Sequence, residues 1–479
     1  MRLSWTRGMR GIGAVAALLA TGCASVPRDA GVSEMQRMVQ EHSGHQITWQ
    51  PDQRIEPPDD AKLLPLLDSE LTVDRAVEIA LTHNRDLLAA LEDLGVARAD
   101  LIEASTIRNP ILDAEARLSG APHTPFELGI TQTLIDLFQL RSRRALGQAE
   151  FEAARLRMTA AVIGFAAEVR ADYYTVQAAQ QALAQQRTIT DAAEVSAELA
   201  RRQHDAGNIS DLDLENEQAL YERAKLDLAR SELDELQARE RLLAGLGALQ
   251  ILPLTLPAQT PPAEGEEEGS PEEVEAALAQ GLEISLARAE MEAARRALPL
   301  SRSEVYDEAA LGWHYEREPE GESSSGPAVE LPIPIFNRGL AGRTRAVALL
   351  RRAEQRLHAL TVSARSEARA ARERLLEARA RADYLRTVIV PRRERIMSLT
   401  QLEYNAMLTG VFDLIRARQG LADAQREQVL AVRDYWLART ELETVMSGVA
   451  GFSVRSGRAE MSRMELFESS PQQESKGHD

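Results

Sequence analysis

The chain has 479 residues and a formal net charge of −18, and aromatic residues make up only 4% of it. The negative charge argues against a nucleic-acid partner, which calls for a basic face. So few aromatic residues exclude a large conventional core, and abundant Ala, Leu, Glu and Arg is typical of long helices.

The first residues predict export. Arg2, Arg7 and Arg10 precede an apolar run at 11–20 that is too short to span a membrane. The next residues, Ala-Thr-Gly-Cys, resemble the lipobox of bacterial lipoproteins. That resemblance implies a signal peptide at 1–22, a lipidated Cys23 and sorting to the outer membrane. The alternative is an ordinary signal peptide beside an incidental cysteine. With one cysteine, the exported chain has no internal disulfide.

A polar segment with several prolines, 23–70, is interpreted as a linker from the lipid anchor to the body. The first helix is predicted to begin at its N-cap Thr72 and to end at Asn109, because a residue before proline avoids the α conformation. Two strands follow, over 112–118 and 126–131, joined by a turn at 119–125.

A proline-free helix is then predicted over 140–204, followed by a turn at Gly207 and a helix over 211–246. The Pro-, Gly- and Glu-rich segment 249–271 is interpreted as a surface connector. These boundaries define a first repeat at 71–248.

The same order of elements returns in a second repeat, 272–448, because 76–101 aligns without a gap on 273–298. Its strands are predicted at 311–316 and 329–335, separated by an eleven-residue loop at 317–327. A helix of seventy residues at 340–409 would measure roughly 100 Å. After Gly410, the last helix carries apolar and small residues at spacings of three and four, typical of a coiled coil. The tail, 449–479, is predicted to be disordered.

The four strands alternate apolar with polar residues, and a soluble sheet that buried their polar side would be unstable. A membrane barrel accommodates this pattern, since apolar residues face lipid and polar residues line water. Four strands leave two open edges, which lipid does not tolerate, so several chains must combine. Two chains give eight strands, which side chains fill; three give twelve and leave a pore. The predicted lumen residues are Asp113, Glu115, Arg117, Glu127, His314, Glu316 and Glu330.

Five motifs in this order resemble the TolC family of outer-membrane efflux ducts: LTVDRAVEIALTHN, GITQTLIDLFQLRSRR, HDAGNISDLDL, ELPIPIFNRG and MLTGVFDLIRARQ. The resemblance covers about 70–448. It implies a mainly helical fold with a membrane β-barrel, a homotrimer in outer-membrane lipid, and a duct that works with a periplasmic adaptor and an inner-membrane pump. The stretches LEYNAMLTGVFDLIRARQ and AVRDYWLART look closest to the heavy-metal branch. The exported solute, a metal ion or a drug, is set by the pump.

In the family, the two helix-turn-helix tips form the periplasmic entrance and meet the adaptor. The matching residues are Gly207, Asn208, Ser210, Asp211, Leu212, Gly410, Asp413 and Leu414. The residues themselves indicate a structural role as well. Each Gly is expected to supply the left-handed turn that ends a helix, and Ser210, Asp211 or Asp413 is expected to cap the next one.

Other classes of function are weaker. The sequence has no nucleophile–base pair, zinc-ligand cluster or phosphate loop, so we expect no enzyme, no cofactor and no metal site. His42 and His45 in the linker are interpreted as solvated. Two rival interpretations are a periplasmic coiled-coil adaptor, which has one helical hairpin and large soluble β-domains, and a structural coiled-coil lipoprotein, which lacks the strand pairs.

Overall fold

The computed structural model describes residues 31–449, apart from 48, 50–54, 56, 58, 117–123, 264–269, 280 and 319–320. Cys23 with its signal peptide, Arg117 and almost all of the predicted tail lie outside the described residues. The described part is mainly helical with one four-stranded antiparallel sheet, which confirms the predicted fold class. In the part of the chain that is described, none of the helices has the length and apolarity needed to cross a membrane.

The helices are α1 (Val32–Ser43), α2 (Asp60–Leu67), α3 (Val73–His83), α4 (Arg85–Ala104), α5 (Ile135–Asp205), α6 (Asp211–Leu246), α7 (Pro271–Ala279), α8 (Leu282–Ser303), α9 (Leu340–Tyr384), α10 (Val390–Asn405) and α11 (Val411–Met446). The strands are β1 (Ile111–Ala116), β2 (Phe126–Thr133), β3 (Ala310–Arg317) and β4 (Ser323–Glu330). A 3₁₀ turn covers Glu304–Tyr306, and a π-helical turn, Leu385–Ile389, joins α9 to α10.

The chain divides into two compact units. The first contains Met1–Met35, Glu92–Arg157 and Ser285–Leu360, and includes the whole sheet. The second contains Gln36–Leu91, Met158–Ile284 and Thr361–Asp479, and includes both helical tips.

In the first unit, the strands lie in the order β1-β2-β3-β4, so β1 and β4 are open edges. The predicted boundaries of β4 were wrong. The strand covers Ser323–Glu330, where Ser323 pairs with Arg317 and Glu330 with Ala310. It ends there because Pro332 and Pro334 have no N–H to donate to a ladder. Half of the predicted loop is therefore strand.

Helices of the first unit follow the order of the strands. On α5, a Cβ at Gly147 would lie 2.9 Å from the Ala104 side chain of α4. On its other side, α5 contacts α8, where Arg157 pairs with Glu290 at 2.8 Å. Helix α8 in turn lies against α9, since a Cβ at Gly342 would approach the carbonyl of Ser301 to 3.7 Å. The order α4-α5-α8-α9 leaves α4 and α9 as the outer helices.

The single helix predicted before Asn109 is two helices that meet at Asn84. The Asn84 side-chain oxygen accepts a hydrogen bond from the Leu87 amide at 2.9 Å, and its nitrogen donates to the Ala244 and Gly245 carbonyls. Asn84 therefore caps α4 and holds the start of α4 against the end of α6. Upstream, Thr72 caps α3 as predicted, accepting a bond from the Arg75 amide. Helix α4 then ends at Ala104, five residues before the predicted boundary.

One apolar cluster of the second unit contains residues of α9 and α11. The expected coiled-coil stripe of α11 is confirmed at its buried positions: Ala424, Ala431, Tyr435, Leu442 and Val445. The facing stripe on α9 is equally regular and consists mostly of alanine: Ala364, Ala368, Ala371, Leu375, Ala378 and Ala382. Apolar side chains at alternating spacings of three and four are typical of coiled-coil packing.

The segment predicted as a linker contains α1 and α2 and has its own buried residues. Ile47 and Trp49 are 4% and 5% exposed, and His45 is 8% exposed, although the sequence indicated a solvated histidine. The His45 ring Nε2 lies 3.1 Å from the Arg170 guanidinium of α5. Ile47 and Trp49 therefore anchor their part of this segment within the second unit.

Candidate functional site

The strand register brings the predicted lumen residues to one side of the sheet. Glu115 pairs with Glu127, and Glu127 pairs in turn with Glu316, so three glutamates lie in a row across three strands. The next row contains Asp113, Gly129 and His314. Directly opposed residues of neighbouring strands project to the same side. Glu330, opposite Ala310, completes that side.

The other side of the sheet is apolar and open. Large residues there keep substantial exposure: Leu112 67%, Ile130 48%, Leu311 45%, Trp313 53% and Val329 69%. An apolar surface of this kind with no protein cover marks contact with lipid or another chain. One glycine lets the strands approach closely, because a Cβ at Gly312 would come within 2.8 Å of the Ile130 carbonyl oxygen.

The first tip joins α5 to α6. Gly207 has a φ of 73°, and the Asn208 amide donates to the Gln203 carbonyl at 2.8 Å. This is the Schellman motif at the C-terminus of a helix. Glycine is favoured at the residue after the helix because that residue adopts a left-handed backbone conformation. Ser210 caps α6 in a reciprocal capping box with Asp213. The expectation for Gly207 and Ser210 therefore agrees with the geometry.

Asp211 does not cap α6. Its Oδ1 lies 2.6 Å from Nε2 of His204, a contact that links the end of α5 to the start of α6. The carboxylate is almost fully exposed. Next to it, Leu212 is 69% exposed, which is unusual for a leucine outside an interface.

The second tip, between α10 and α11, has the same backbone with different residues. The left-handed residue is Met407, with a φ of 59°, and the Leu408 amide donates to the Glu403 carbonyl. The prediction that Gly410 supplies this turn was wrong: Gly410 has a φ of −80° and is the N-cap of α11. The turn and its cap are separate positions, three residues apart, in both tips.

The two tips correspond residue by residue at an offset of 200, which pairs Gly207 with Met407, Ser210 with Gly410 and Asp213 with Asp413. Asp413 is thus the counterpart of Asp213, the residue that the sequence reasoning missed. A signal was present, since Ser210-x-x-Asp213 has the spacing of a capping box.

Asp413 is held by two side chains. Its Oδ1 accepts a bond from Arg416 at 2.5 Å and its Oδ2 from the Thr409 hydroxyl at 2.8 Å. These bonds, the one from Arg416 foremost, keep the pKa of Asp413 below its ordinary value. At the first tip, bonds from Ser210 lower the pKa of Asp213 in the same way. Both carboxylates are therefore ionised at neutral pH. Leu414, one residue on, is half-buried.

Within the described ranges, no group of three or more His, Cys, Asp or Glu side chains is arranged to hold a metal ion. The first unit does have an open groove of about 510 Å³ between α4, α5 and α8. Five carboxylates line it, against one arginine, Arg143: Asp100, Glu103, Glu150, Glu304 and Asp307. Burial and the nearby Asp100 raise the pKa of Glu150.

Comparisons with known proteins agree with this geometry. The family described as "Outer membrane efflux protein" matches residues 76–248. The cobalt-zinc-cadmium resistance protein CzcC of Cupriavidus metallidurans is 23% identical over 390 residues, which cover 78% of this chain and 90% of the relative.

Among solved structures, a membrane protein from Pseudomonas aeruginosa has a TM-score of 0.64 at 21% identity and covers 78% of this chain and 93% of its own. The Campylobacter jejuni CmeC outer membrane channel has a TM-score of 0.67 at 14% identity, with 87% and 93% covered. Identities this low establish the shared fold alone.

Proposed function

The chain belongs to the outer membrane efflux protein family, and from that premise we propose that three copies form the exit duct of a tripartite efflux system. Members of this family are channels and not enzymes, and they work with periplasmic adaptors and inner-membrane pumps. We assign the two repeats to 71–248 and 272–448, joined by 249–271, as the matching tips support.

The sheet is the observation that carries this proposal. One side has a row of three glutamates and the other exposes Leu112, Ile130 and Trp313. The open edges β1 and β4 can pair with the β4 and β1 of other copies, which satisfies their free backbone groups in lipid. Twelve strands enclose a water-filled pore, whereas eight do not. The lumen is then lined by Asp113, Glu115, Glu127, His314, Glu316 and Glu330, together with Arg117.

Native mass spectrometry in detergent tests the assembly. We expect a trimer as the dominant species, because a closed ring of twelve strands removes both open edges and also leaves a pore. A monomer or a dimer as the dominant stable species would contradict the proposal.

We propose that the two tips form the periplasmic entrance and meet the adaptor. The exposed apolar side chains of Leu212, Met407 and Leu408 support a protein contact there, beside Gly207, Asn208, Ser210, Gly410 and Leu414. If the tips gather around one axis, Asp211 and Asp413 place six carboxylates near the constriction. The Arg416–Asp413 bond compensates half of them.

Single-channel recording in planar bilayers tests the entrance. Replacing Asp211 and Asp413 together by Ala should alter conductance and weaken cation preference while the trimer stays assembled. Unchanged conductance and selectivity would leave both aspartates with purely local roles at the tips. The matched control is Ser210→Ala, which removes an N-cap worth about 1 kcal/mol and leaves every tip carboxylate in place.

We further propose that Cys23 is the lipidated mature N-terminus. The charged, apolar and small-residue order ahead of the only cysteine supports this. Intact-mass measurement should give a chain that begins at Cys23 and carries acyl groups. A free Cys23 thiol, or cleavage elsewhere, would contradict it.

The proposed solute is a divalent metal cation. The named relative is a cobalt-zinc-cadmium resistance protein, and an acidic lumen favours cations. In a strain that lacks its own metal-efflux duct, but keeps a matching pump and adaptor, this chain should restore growth on cobalt, zinc or cadmium. Restored drug resistance without metal resistance would assign a different solute.

A further inference from the structure

The outer helices of the first unit carry opposite charge. On α4, residues 92–104 include four acidic residues and one arginine; on α9, residues 340–360 include five arginines and one glutamate. We propose that the acidic face of α4 in one copy binds the basic face of α9 in the next copy, through a charged seam that sets the register of assembly. This inference rests on the proposed trimeric duct.

The acidic face of α4 points away from the copy's own core. Glu92, Val96 and Glu103 are four and seven residues apart, so they share one side of the helix, and Asp100 adjoins it. The opposite side buries Leu94 and Leu101 against the unit. Val96 is 60% exposed, so the outward side also carries apolar surface without a cover.

The basic face of α9 is arranged in the same way. Gly342 and Ala346 face inward, Gly342 against Ser301 of α8 and Glu304 of the 3₁₀ turn that follows it. On the outward side, Thr344, Ala348 and Gln355 form a line of exposed uncharged residues. Exposed arginines flank that line, Arg351 on one side and Arg345, Arg352 and Arg356 on the other. A long arginine side chain can reach from either flank to a carboxylate on a facing helix.

The charges that would face the next copy are unpaired among the described residues of one copy. Among the described residues, Glu92, Asp100 and Glu103 form no ion pair or side-chain hydrogen bond, and neither do the five arginines of 340–360. Asp100 and Glu103 also border the groove with five carboxylates and one arginine. The raised pKa of Glu150 in that groove reflects burial and the negative charge of Asp100. A cation from another copy would therefore be attracted here.

Ring closure brings the two faces together. The helices follow the strand order, so when β4 of one copy pairs with β1 of the next, α9 of the first copy becomes the neighbour of α4 of the second. Both helices lie at the edges of their layer, with their free sides directed outward.

The contacts within one copy also indicate which residues of α4 and α9 lie at the same distance from the sheet. Gly147 of α5 lies beside Ala104 of α4, and the Ala145 carbonyl of α5 accepts a hydrogen bond from Arg296 of α8. Ser301 of α8 lies beside Gly342 of α9. Because α8 is antiparallel to both of its neighbours, Ala104 is level with about residue 350 of α9, at equal rise per residue. Asp100 and Glu103 therefore face Arg351, Arg352 and Arg356 in the neighbouring copy.

Charge reversal with rescue tests the seam. Asp100→Arg with Glu103→Arg should lower the fraction of trimer in native mass spectrometry at least tenfold, because like charges then face each other. Arg351→Glu with Arg352→Glu should do the same. The quadruple variant exchanges the signs and should recover the trimer. The matched control, Asp68→Arg with Glu70→Arg, changes exposed loop charges by the same amount and should assemble normally.

Each outcome is decisive. If both reversed variants assemble like the unmodified chain, or the quadruple variant fails while its circular dichroism retains full helix content, the seam is wrong and the trimeric duct stands. If the unmodified chain is itself not a trimer, both the seam and the proposed duct are overturned. The seam also predicts that trimer assembly is weakened by salt, since the Debye screening length falls from about 10 Å at 0.1 M to about 3 Å at 1 M salt.

Discussion

The backbone of the two tips is the same, but its left-handed residue is glycine at Gly207 and methionine at Met407. A residue with a Cβ is disfavoured in this conformation by roughly 1–2 kcal/mol. Met407 is 94% exposed, so burial of its side chain does not compensate within one copy. The second tip is therefore locally the less stable of the two.

Exchanging these residues tests that difference. Met407→Gly should slow hydrogen exchange of the Leu408 amide, and Gly207→Met should speed exchange of the Asn208 amide, each by about fivefold to tenfold for a change near 1 kcal/mol. The amides of α6 and α11 beyond the tips serve as internal controls. Equal exchange at the two tips of the unmodified chain would contradict the argument.

His45 is a second residue whose role depends on its surroundings. A guanidinium only donates hydrogen bonds, so the His45 Nε2 that faces Arg170 must accept, which requires a neutral ring. Burial, followed by the charge of Arg170, lowers the pKa of His45 below its usual 6.5, although Asp74 and Glu78 act in the opposite direction. Arg170 is itself paired with Glu443 at 2.7 Å.

The lowered pKa of His45 predicts that the segment around this residue detaches from α5 at acidic pH. The released segment binds a proton more readily than the packed one, so the stabilisation is complete well above pH 6.5 and is lost as the pH falls below it. Exchange of the amides in 36–47, expressed relative to the intrinsic rate at each pH, should therefore show protection that falls between about pH 7 and 5. His45→Gln keeps an acceptor and should remove this pH dependence, whereas the exposed His42→Gln should keep it.

At the scale of elements, one buried carboxylate connects the sheet to the longest helix. Asp136 lies in the first turn of α5 and has no exposed side-chain surface. It accepts two hydrogen bonds, at 2.8 and 2.9 Å, from the guanidinium of Arg108, which precedes β1. Arg143, two turns along α5, adds a third at 3.2 Å. The hydrogen bonds from Arg108 lower the pKa of Asp136 and raise that of Arg108.

Removing this charge should loosen the junction. Asp136→Asn should lower the free energy of unfolding by about 2–3 kcal/mol, less than for a fully buried pair, because Arg108 is half exposed and can be hydrated. Denaturant titration of the detergent-solubilised protein measures this. Glu308→Gln, at an exposed carboxylate of the same unit, is the control and should leave stability unchanged. An equal loss in both variants would contradict a specific role for Asp136.

At the scale of the whole molecule, we propose that two features hold the chain at the membrane: the lipid on Cys23 and the apolar side of the sheet. They are independent, since Leu112, Ile130 and Trp313 remain exposed whatever happens at the N-terminus. Apolar strands in a closed ring hold a protein in the bilayer without any acyl chain.

Cys23→Ser should therefore leave the protein in the outer-membrane fraction. Adding Ile130→Arg should reduce the amount recovered there, because an arginine facing lipid is disfavoured by up to about 2–4 kcal/mol at the bilayer midplane. Glu127→Arg, on the polar side of the same strand, is the matched control and should be tolerated. Release of the Cys23→Ser variant into the soluble fraction would contradict a membrane-embedded sheet.

Features repeated along the chain were readable from sequence. Alternating residues identified the polar side of the sheet, at Asp113, Glu127 and His314, and spacings of three and four identified the buried stripe of α11. The predicted duplication rests on the same kind of signal, because two segments of like pattern align without a gap. Each of these properties depends on residues close to one another in the chain.

The tertiary structure alone decided the features that depend on a distant partner. Ser323 joins β4 because Arg317 offers it a ladder, and Asn84 divides a helix because the end of α6 accepts its bonds. His45 is buried by a helix 125 residues away. Local pattern determines the type of an element, and non-local hydrogen bonds and packing determine where it ends and what it touches.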